Sequence, residues 1–248
     1  TVAAQDLFGD LLKERAETGR IYIMNLDHCN SHSSFKDKVS MSNLCQEITL
    51  PTTPIQDIHD DQGEIALCIL SAVNVGGLND LGELENICDL AVRALEQIID
   101  YQDYPVKAAE VSTKKRRSLG IGYIGLAHYL AKHGVKYSDP KAWDLVDRLS
   151  EAFQYHLLRA SCNIAMEKGK CEGFDRTKYA DGLLPIDHYK KDVDKIVPHK
   201  QRMAWEALRK DIAKHGLRHS TLSAQMPSES SSVVSNETNG IEPPRALL

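Results

Sequence analysis

Three polar residues at alternate positions carry the clearest chemical potential in this sequence: Asn43, Cys45 and Glu47, within Ser42-Asn43-Leu44-Cys45-Gln46-Glu47. In an extended or looped segment, residues at i, i+2 and i+4 point the same way. A carboxamide, a thiol and a carboxylate on one wall form a reaction set: an orienter, a nucleophile or hydrogen carrier, and a general base. The same spacing also suits a solvated loop with one buried cysteine, and spacing alone leaves both readings open. Cys68 follows twenty-three residues later, inside the apolar run Ile65-Ala66-Leu67-Cys68-Ile69-Leu70-Ser71-Ala72-Val73. There it is either a small core hydrophobe or a redox thiol at a strand end beside Cys45. The second role needs a partner whose Cα lies within about 4.4–6.8 Å. A third segment, Pro227-Ser228-Glu229-Ser230-Ser231-Ser232, reads as the start of a helix. Its free N–H groups and positive dipole end would suit a phosphate. Alternatively the serines serve only to cap the helix.

Two further clusters carry less. Cys29 and His32 have ligand-like spacing, but a structural zinc site takes about four ligands and no second pair follows, so no metal is expected. The run Lys114-Lys115-Arg116-Arg117 could meet nucleic acid, yet four cations in a chain of net charge -5 read as a solvated loop, and no nucleic-acid partner is expected. Cys45 with His28 or His32 as base would make a cysteine-dependent acyl-transfer enzyme, the alternative chemistry. A non-catalytic assembly fragment is the other alternative.

The elements that must position these groups follow from patterning. With 42% hydrophobic and 26% charged residues, the chain can bury a core. Six cysteines without a Cys-x-x-Cys pair exclude a zinc ribbon, a thioredoxin-type motif and a disulfide-dense secreted scaffold, which implies free thiols and a cytoplasmic location. No run approaches the ~20 apolar residues of a membrane span, and the N-terminal residues lack the features of a signal peptide, so no membrane partner is expected. Helical spacing predicts a helix over about 4–17, and Ile21-Tyr22-Ile23-Met24 a short buried strand. Residues 25–50 form a long polar loop of the functional kind. The run 65–73 predicts a strand buried on both faces. A helix over 80–100, a strand at 118–122 and helices to 133, over 140–168 and over 201–214 follow, with a small-residue strand at 220–224. Strands alternating with helices imply an α/β fold with mostly parallel pairing.

Taken together, the segments resemble the catalytic core of the class I ribonucleotide reductase large subunit. Ser42-Asn43-Leu44-Cys45-Gln46-Glu47-Ile48 with Leu50-Pro51 carries the resemblance first, then Gly63-Glu64-Ile65-Ala66-Leu67-Cys68. Ala91-Val92-Arg93-Ala94-Leu95, Asp100-Tyr101-Gln102-Asp103-Tyr104-Pro105 and Arg117-Ser118-Leu119-Gly120-Ile121-Gly122 agree. So do Ser220 through Glu229 and Asn239-Gly240-Ile241-Glu242-Pro243-Pro244-Arg245. Agreement extends from near Arg15 to Arg245.

The resemblance implies a central part of a ten-stranded α/β barrel, with residues 25–50 as a finger loop pushed into its centre and 226–232 as the phosphate loop and helix start. It implies that Cys45 becomes a transient thiyl radical, that Glu47 acts as base and that Asn43 orients a ribonucleoside diphosphate. Cys68 would be one of two reducing thiols, its partner outside this chain. Ser228, Glu229, Ser230 and Ser231 would hold the diphosphate, with Ser230 where relatives often carry threonine. The radical would come from a di-iron/tyrosyl small subunit, and electrons from thioredoxin or glutaredoxin; no cofactor would be bound by this segment. The ATP-binding regulatory region, the partner cysteine, the radical-delivering tyrosine pair and the recycling tail cysteines are expected in remaining N- and C-terminal parts of the subunit. The chain alone is therefore expected not to reduce ribonucleotides.

Overall fold

A computed structural model describes residues 2–244. Helix α1 (Ala4–Thr18) stands apart, with none of its residues buried. Next come α2 (Leu26–His32), β1 (Ile69–Asn74), α3 (Leu84–Tyr101), α4 (Lys107–Arg116), β2 (Leu119–Ile124) and α5 (Leu126–Lys132). The chain continues through α6 (Pro140–Lys168), α7 (Pro185–His188), α8 (Trp205–His215) and α9 (Glu229–Val234).

Strands β1 and β2 pair in parallel, with Ile69 opposite Leu119 and Asn74 opposite Ile124. The connection between them holds α3 and α4, as a parallel pair requires. Residues 221–224 follow β2 on its other side. The N–H of Leu119 donates to the Thr221 carbonyl (3.1 Å) and that of Ile121 to the Leu222 carbonyl (2.8 Å), and one parallel bridge joins Ile121 to Ser223.

The core is built on α3 and α6. In α3, Leu84, Cys88, Val92, Leu95 and Ile99 recur every three or four residues and are buried, the stripe expected of a helix covering a sheet. They pack with Leu149, Phe153, Leu157 and Leu158 of α6 and with Leu119 and Ile121 of β2. Pro140 opens α6, where the missing proline N–H costs nothing.

Several expectations shift. Residues 21–24 form no strand, and Tyr22 and Ile23 are exposed; no ladder partner lies beside them among the described residues. The strand expected at 65–73 begins at Ile69, where pairing with β2 begins. The basic run 114–117 is the end of α4 and not a loop, and its charges are neutralised locally. Lys114 pairs with Glu110, Lys115 and Arg116 with Glu64, and Arg117 with Glu96 and Asp100. Two paired strands and three isolated bridges are described, so the barrel itself is not on view.

The segment 25–50 is not an uninterrupted polar loop. Asn30 of α2 pairs with Val39 in both directions, its Nδ2 donating to the Val39 carbonyl (2.9 Å) and its Oδ1 accepting from the Val39 N–H (2.8 Å). Phe35, Val39 and Leu50 form a small second core, against which Met24, Ile48, Ala66 and Cys68 pack. Its base is pinned to the main body. Phe35 bridges Thr177, the Lys36 N–H donates to the Arg176 carbonyl (3.0 Å), and the Ser34 hydroxyl donates to the Ser220 carbonyl (3.0 Å).

Candidate active site

Asn43, Cys45 and Glu47 share one tight turn. The Asn43 N–H donates to the Ile48 carbonyl (3.1 Å), the Gln46 N–H to the Asn43 carbonyl (3.2 Å), and the Ile48 N–H to Asn43 Oδ1 (3.1 Å). Gln46 sits in the left-handed region at φ 65°, which lets the chain reverse within so few residues. Asn43 and Cys45 are exposed, while Glu47 turns inward and is half-buried. Enclosure of the Cys45 tip was expected, and the described residues do not provide it, since they include no strands on that side.

Glu47 and Cys68 line the same cavity, of about 220 Å³, together with His188, Tyr179, Gln154 and Thr221. Among the described residues, Glu47 Oε2 is buried with no hydrogen-bond partner. Burial pushes the Cys68 thiol up to about 12, and the neighbouring Glu47 charge adds to the rise. Cys68 is therefore a protonated thiol near neutral pH.

Two glycines make room for this arrangement. A Cβ on Gly120 would lie 2.8 Å from Cys68 Sγ and 2.7 Å from Leu70 Cδ2. One on Gly122 would lie 2.5 Å from the Ala224 carbonyl oxygen. Alternation along β2 thus clears one face for the thiol and for the segment leading to Ser228, while Leu119 and Ile121 face the core.

On that side, Ser228, Glu229, Ser230 and Ser231 flank a second cavity of about 400 Å³ with Leu70, Ser71 and Ala72 of β1. Ser228 is buried and its hydroxyl donates to the Met226 carbonyl (3.0 Å); it makes no cap to α9. The capping alternative therefore fails for Ser228. The first-turn N–H groups of α9 lack partners within the helix.

Behind the site lies a buried charge network that patterning did not anticipate. Glu96 accepts from Arg117 Nε (2.8 Å), from Arg218 Nε (2.8 Å) and from His219 Nε2 (3.1 Å). Burial alone would raise the Glu96 pKa, but the hydrogen bonds from His219, Arg117 and Arg218 prevail and hold it at about 2. Burial lowers the pKa of His219, against the opposing pull of Glu96. Arg117, at φ 48°, feeds directly into β2, and His219 into 220–224, so the network fixes both segments against each other. His188 was also missed: it lines the cavity of Glu47 and Cys68, and both of its ring nitrogens are buried without partners among the described residues. A lone histidine in a loop-rich stretch gives no periodic signal.

The acyl-transfer alternative finds no support. Among the described residues Cys45 has no hydrogen bond to His28 or His32, and His32 Nδ1 contacts the His188 carbonyl instead. Nor is any group of three or more His, Cys, Asp or Glu residues arranged to hold a metal among the described residues, and no described helix is long and apolar enough to cross a membrane.

The sequence model described as "Ribonucleotide reductase, barrel domain" matches residues 1–248. The chain belongs to the ribonucleotide reductase barrel-domain family. It is 59% identical to the ribonucleoside-diphosphate reductase subunit alpha of Haemophilus influenzae, over 99% of this chain and 33% of that subunit. Identity is 57% to the subunit alpha of Buchnera aphidicola (subspecies Baizongia pistaciae), over 100% of this chain and 33% of that protein. The Enterobacteria phage T4 subunit alpha is 44% identical over 98% of this chain and 32% of its own length. This barrel-domain chain spans about a third of the length of the curated relatives it matches.

Proposed function

We propose that this chain supplies the reaction centre of a ribonucleoside-diphosphate reductase large subunit and works only with that subunit's remaining parts. In this reading the two described strands belong to a ten-stranded barrel, and the turn at 43–48 is the tip of its finger loop. Cys45, as a thiyl radical, takes the 3′ hydrogen of a ribonucleoside diphosphate, and its S–H bond forms as the C–H bond breaks. Glu47 accepts the 3′ hydroxyl proton and Asn43 orients the sugar. The 2′ hydroxyl then leaves as water. Cys68 and a cysteine outside this chain provide two electrons and two hydrogens, one protonating the departing 2′ hydroxyl and one forming the new 2′ C–H bond, and close a disulfide, while Glu47 returns its proton to the 3′ oxygen. Cys45 returns the hydrogen to the 3′ position. Ser228, Glu229, Ser230 and Ser231 hold the diphosphate through hydroxyls and helix N–H groups. A separate small subunit with a di-iron/tyrosyl centre supplies the radical, and thioredoxin or glutaredoxin returns the electrons.

The observation that carries this reading is the buried, partnerless Glu47 Oε2 on the same cavity as Cys68, two residues from Cys45. The protonated state of Cys68 supports it further, since a hydrogen donor needs its S–H bond where a nucleophile needs a thiolate. Cys45→Ser, assembled with the remaining parts and the small subunit, should bind substrate and make no deoxynucleotide. Deoxynucleotide formation at the unsubstituted rate would refute the radical assignment.

A further inference from the structure

The segment 221–224 pairs with β2 through its main chain for only part of the distance β2 offers. In a parallel ladder, alternate residues of a strand aim both backbone groups at the same neighbour. On β2 the carbonyls of Ser118 and Ile124 accept from the N–H groups of Ile69 and Val75, on the β1 side. Leu119 and Ile121 serve the other side. The Ile121 N–H donates to the Leu222 carbonyl (2.8 Å) and its carbonyl accepts from the Ala224 N–H (3.3 Å), so that it brackets Ser223. Two residues further on, the same rule would bond Tyr123 to the carbonyl of Ala224 and the N–H of Met226.

The chain does something else there. The Tyr123 N–H donates to Gln225 Oε1 (3.3 Å), and Gln225 Nε2 donates to the Tyr123 carbonyl (2.7 Å). A side-chain amide carries the same donor and acceptor as a peptide group, and it forms this last rung in place of the backbone. The main chain therefore leaves β2 one rung early. It reaches the cavity beside Leu70, Ser71 and Ala72, where Met226, Pro227 and Ser228 stand on the opposite wall. Had the backbone made the rung, Met226 would be tied to Tyr123 and Ser228 drawn along β2. The far end of the loop has anchors of its own. The Gly125 N–H donates to the Thr238 carbonyl (2.9 Å), and Glu237 pairs with His128. Loss of the Gln225 amide would thus free one end only.

We propose that Gln225 is a positioning residue for the diphosphate loop: its side-chain amide, bonded to both backbone groups of Tyr123, sets where Ser228 to Ser231 stand relative to β1. This rests on the diphosphate role given above to Ser228, Glu229, Ser230 and Ser231. The Gln225 amide is engaged with Tyr123, so it acts through the main chain.

Two neutral substitutions test this in the assembled large subunit. Gln225→Met keeps the length and loses both hydrogen bonds. Gln225→Asn keeps the amide but can meet Tyr123 only by drawing the main chain inward by about a bond length, and it holds the rung if the methionine variant does not fold. Equilibrium binding of cytidine diphosphate is compared with that of cytidine, which lacks the phosphates. Either substitution should cut the advantage of the diphosphate over the nucleoside by about tenfold, the worth of one or two hydrogen bonds, and leave the affinity for cytidine unchanged. In Gln225→Met, amide hydrogen exchange should quicken at Tyr123 and not at Ile121. A folded variant that keeps the whole advantage, or that loses affinity for cytidine and its diphosphate alike, would overturn the positioning role and leave the diphosphate role of the loop standing. Equal binding of cytidine and cytidine diphosphate by the unsubstituted subunit would overturn the diphosphate role, and the positioning role with it.

Discussion

Gln46 and Arg117 are both non-glycine residues in the left-handed region, at φ 65° and 48°. Arg117 is buried, and Glu96 and Asp100 grip its guanidinium at three points. Gln46 sits in a turn closed by three hydrogen bonds, two of them to Asn43, beside an exposed Cys45. One strained residue is over-determined by charge, and the other depends on a single amide side chain and on whatever surrounds the tip. The stability of this domain and its chemistry therefore rest on different groups. The scaffold around β2 is held by a buried charge network, and in the proposed function the turn at 43–48 is completed by parts of the subunit outside this chain.

The largest expected effect comes from breaking the scaffold side. Glu96→Ala leaves Arg117 with the carboxylate of Asp100 alone and deprives the half-buried Arg218 and the buried His219 of theirs, and should cost about 3–5 kcal/mol in denaturant unfolding. It should also flatten the acid limb of stability. Glu96 titrates in the folded chain at about 2, against 4.5 for an ordinary glutamate. Its contribution is complete above about 4.5 and is lost as the pH falls toward about 2. The unsubstituted chain should lose stability across that window more steeply than Glu96→Ala, and equal slopes would show that the network carries no such linkage.

A smaller effect should follow where the two regions meet. Gly120→Ala places a methyl against Cys68 Sγ, Leu70 and Ala224, overpacking worth about 1–3 kcal/mol. It should also change the rate at which Cys68 is alkylated, measured by mass spectrometry of the digested chain. The smallest effect belongs to the turn. Gln46→Gly relieves the left-handed backbone but loosens the unfolded chain, and unfolding should change by less than about 1 kcal/mol. A loss as large as that of Glu96→Ala would erase the distinction between the two regions.

Much of this was legible in the residues. The three-and-four spacing of Leu84, Cys88, Val92, Leu95 and Ile99 announced α3, whereas the alternate spacing of Asn43, Cys45 and Glu47 suggested one shared wall and the turn instead exposes Asn43 and Cys45 and brings Glu47 inward. What sequence concealed were pairings between distant segments. Residues 21–24 are apolar enough for a strand but have no ladder partner among the described residues, and strand formation is decided by the neighbour. The cations at 114–117 read as a solvated loop until Glu64, Glu96 and Asp100 are brought against them. His219 and His188 matter because of what the fold places beside them, which no local pattern encodes.

The division of labour between the two thiols is the centre of this account, and one experiment addresses it directly. The assembled reductase, pre-reduced and supplied with a ribonucleoside diphosphate but no external reductant, is quenched after a single turnover and its cysteines are mapped by differential alkylation. Cys68 should be found in a disulfide with a cysteine outside this chain, and Cys45 should be recovered as a free thiol. Cys45 in the disulfide, or Cys68 still free after product has formed, would contradict it.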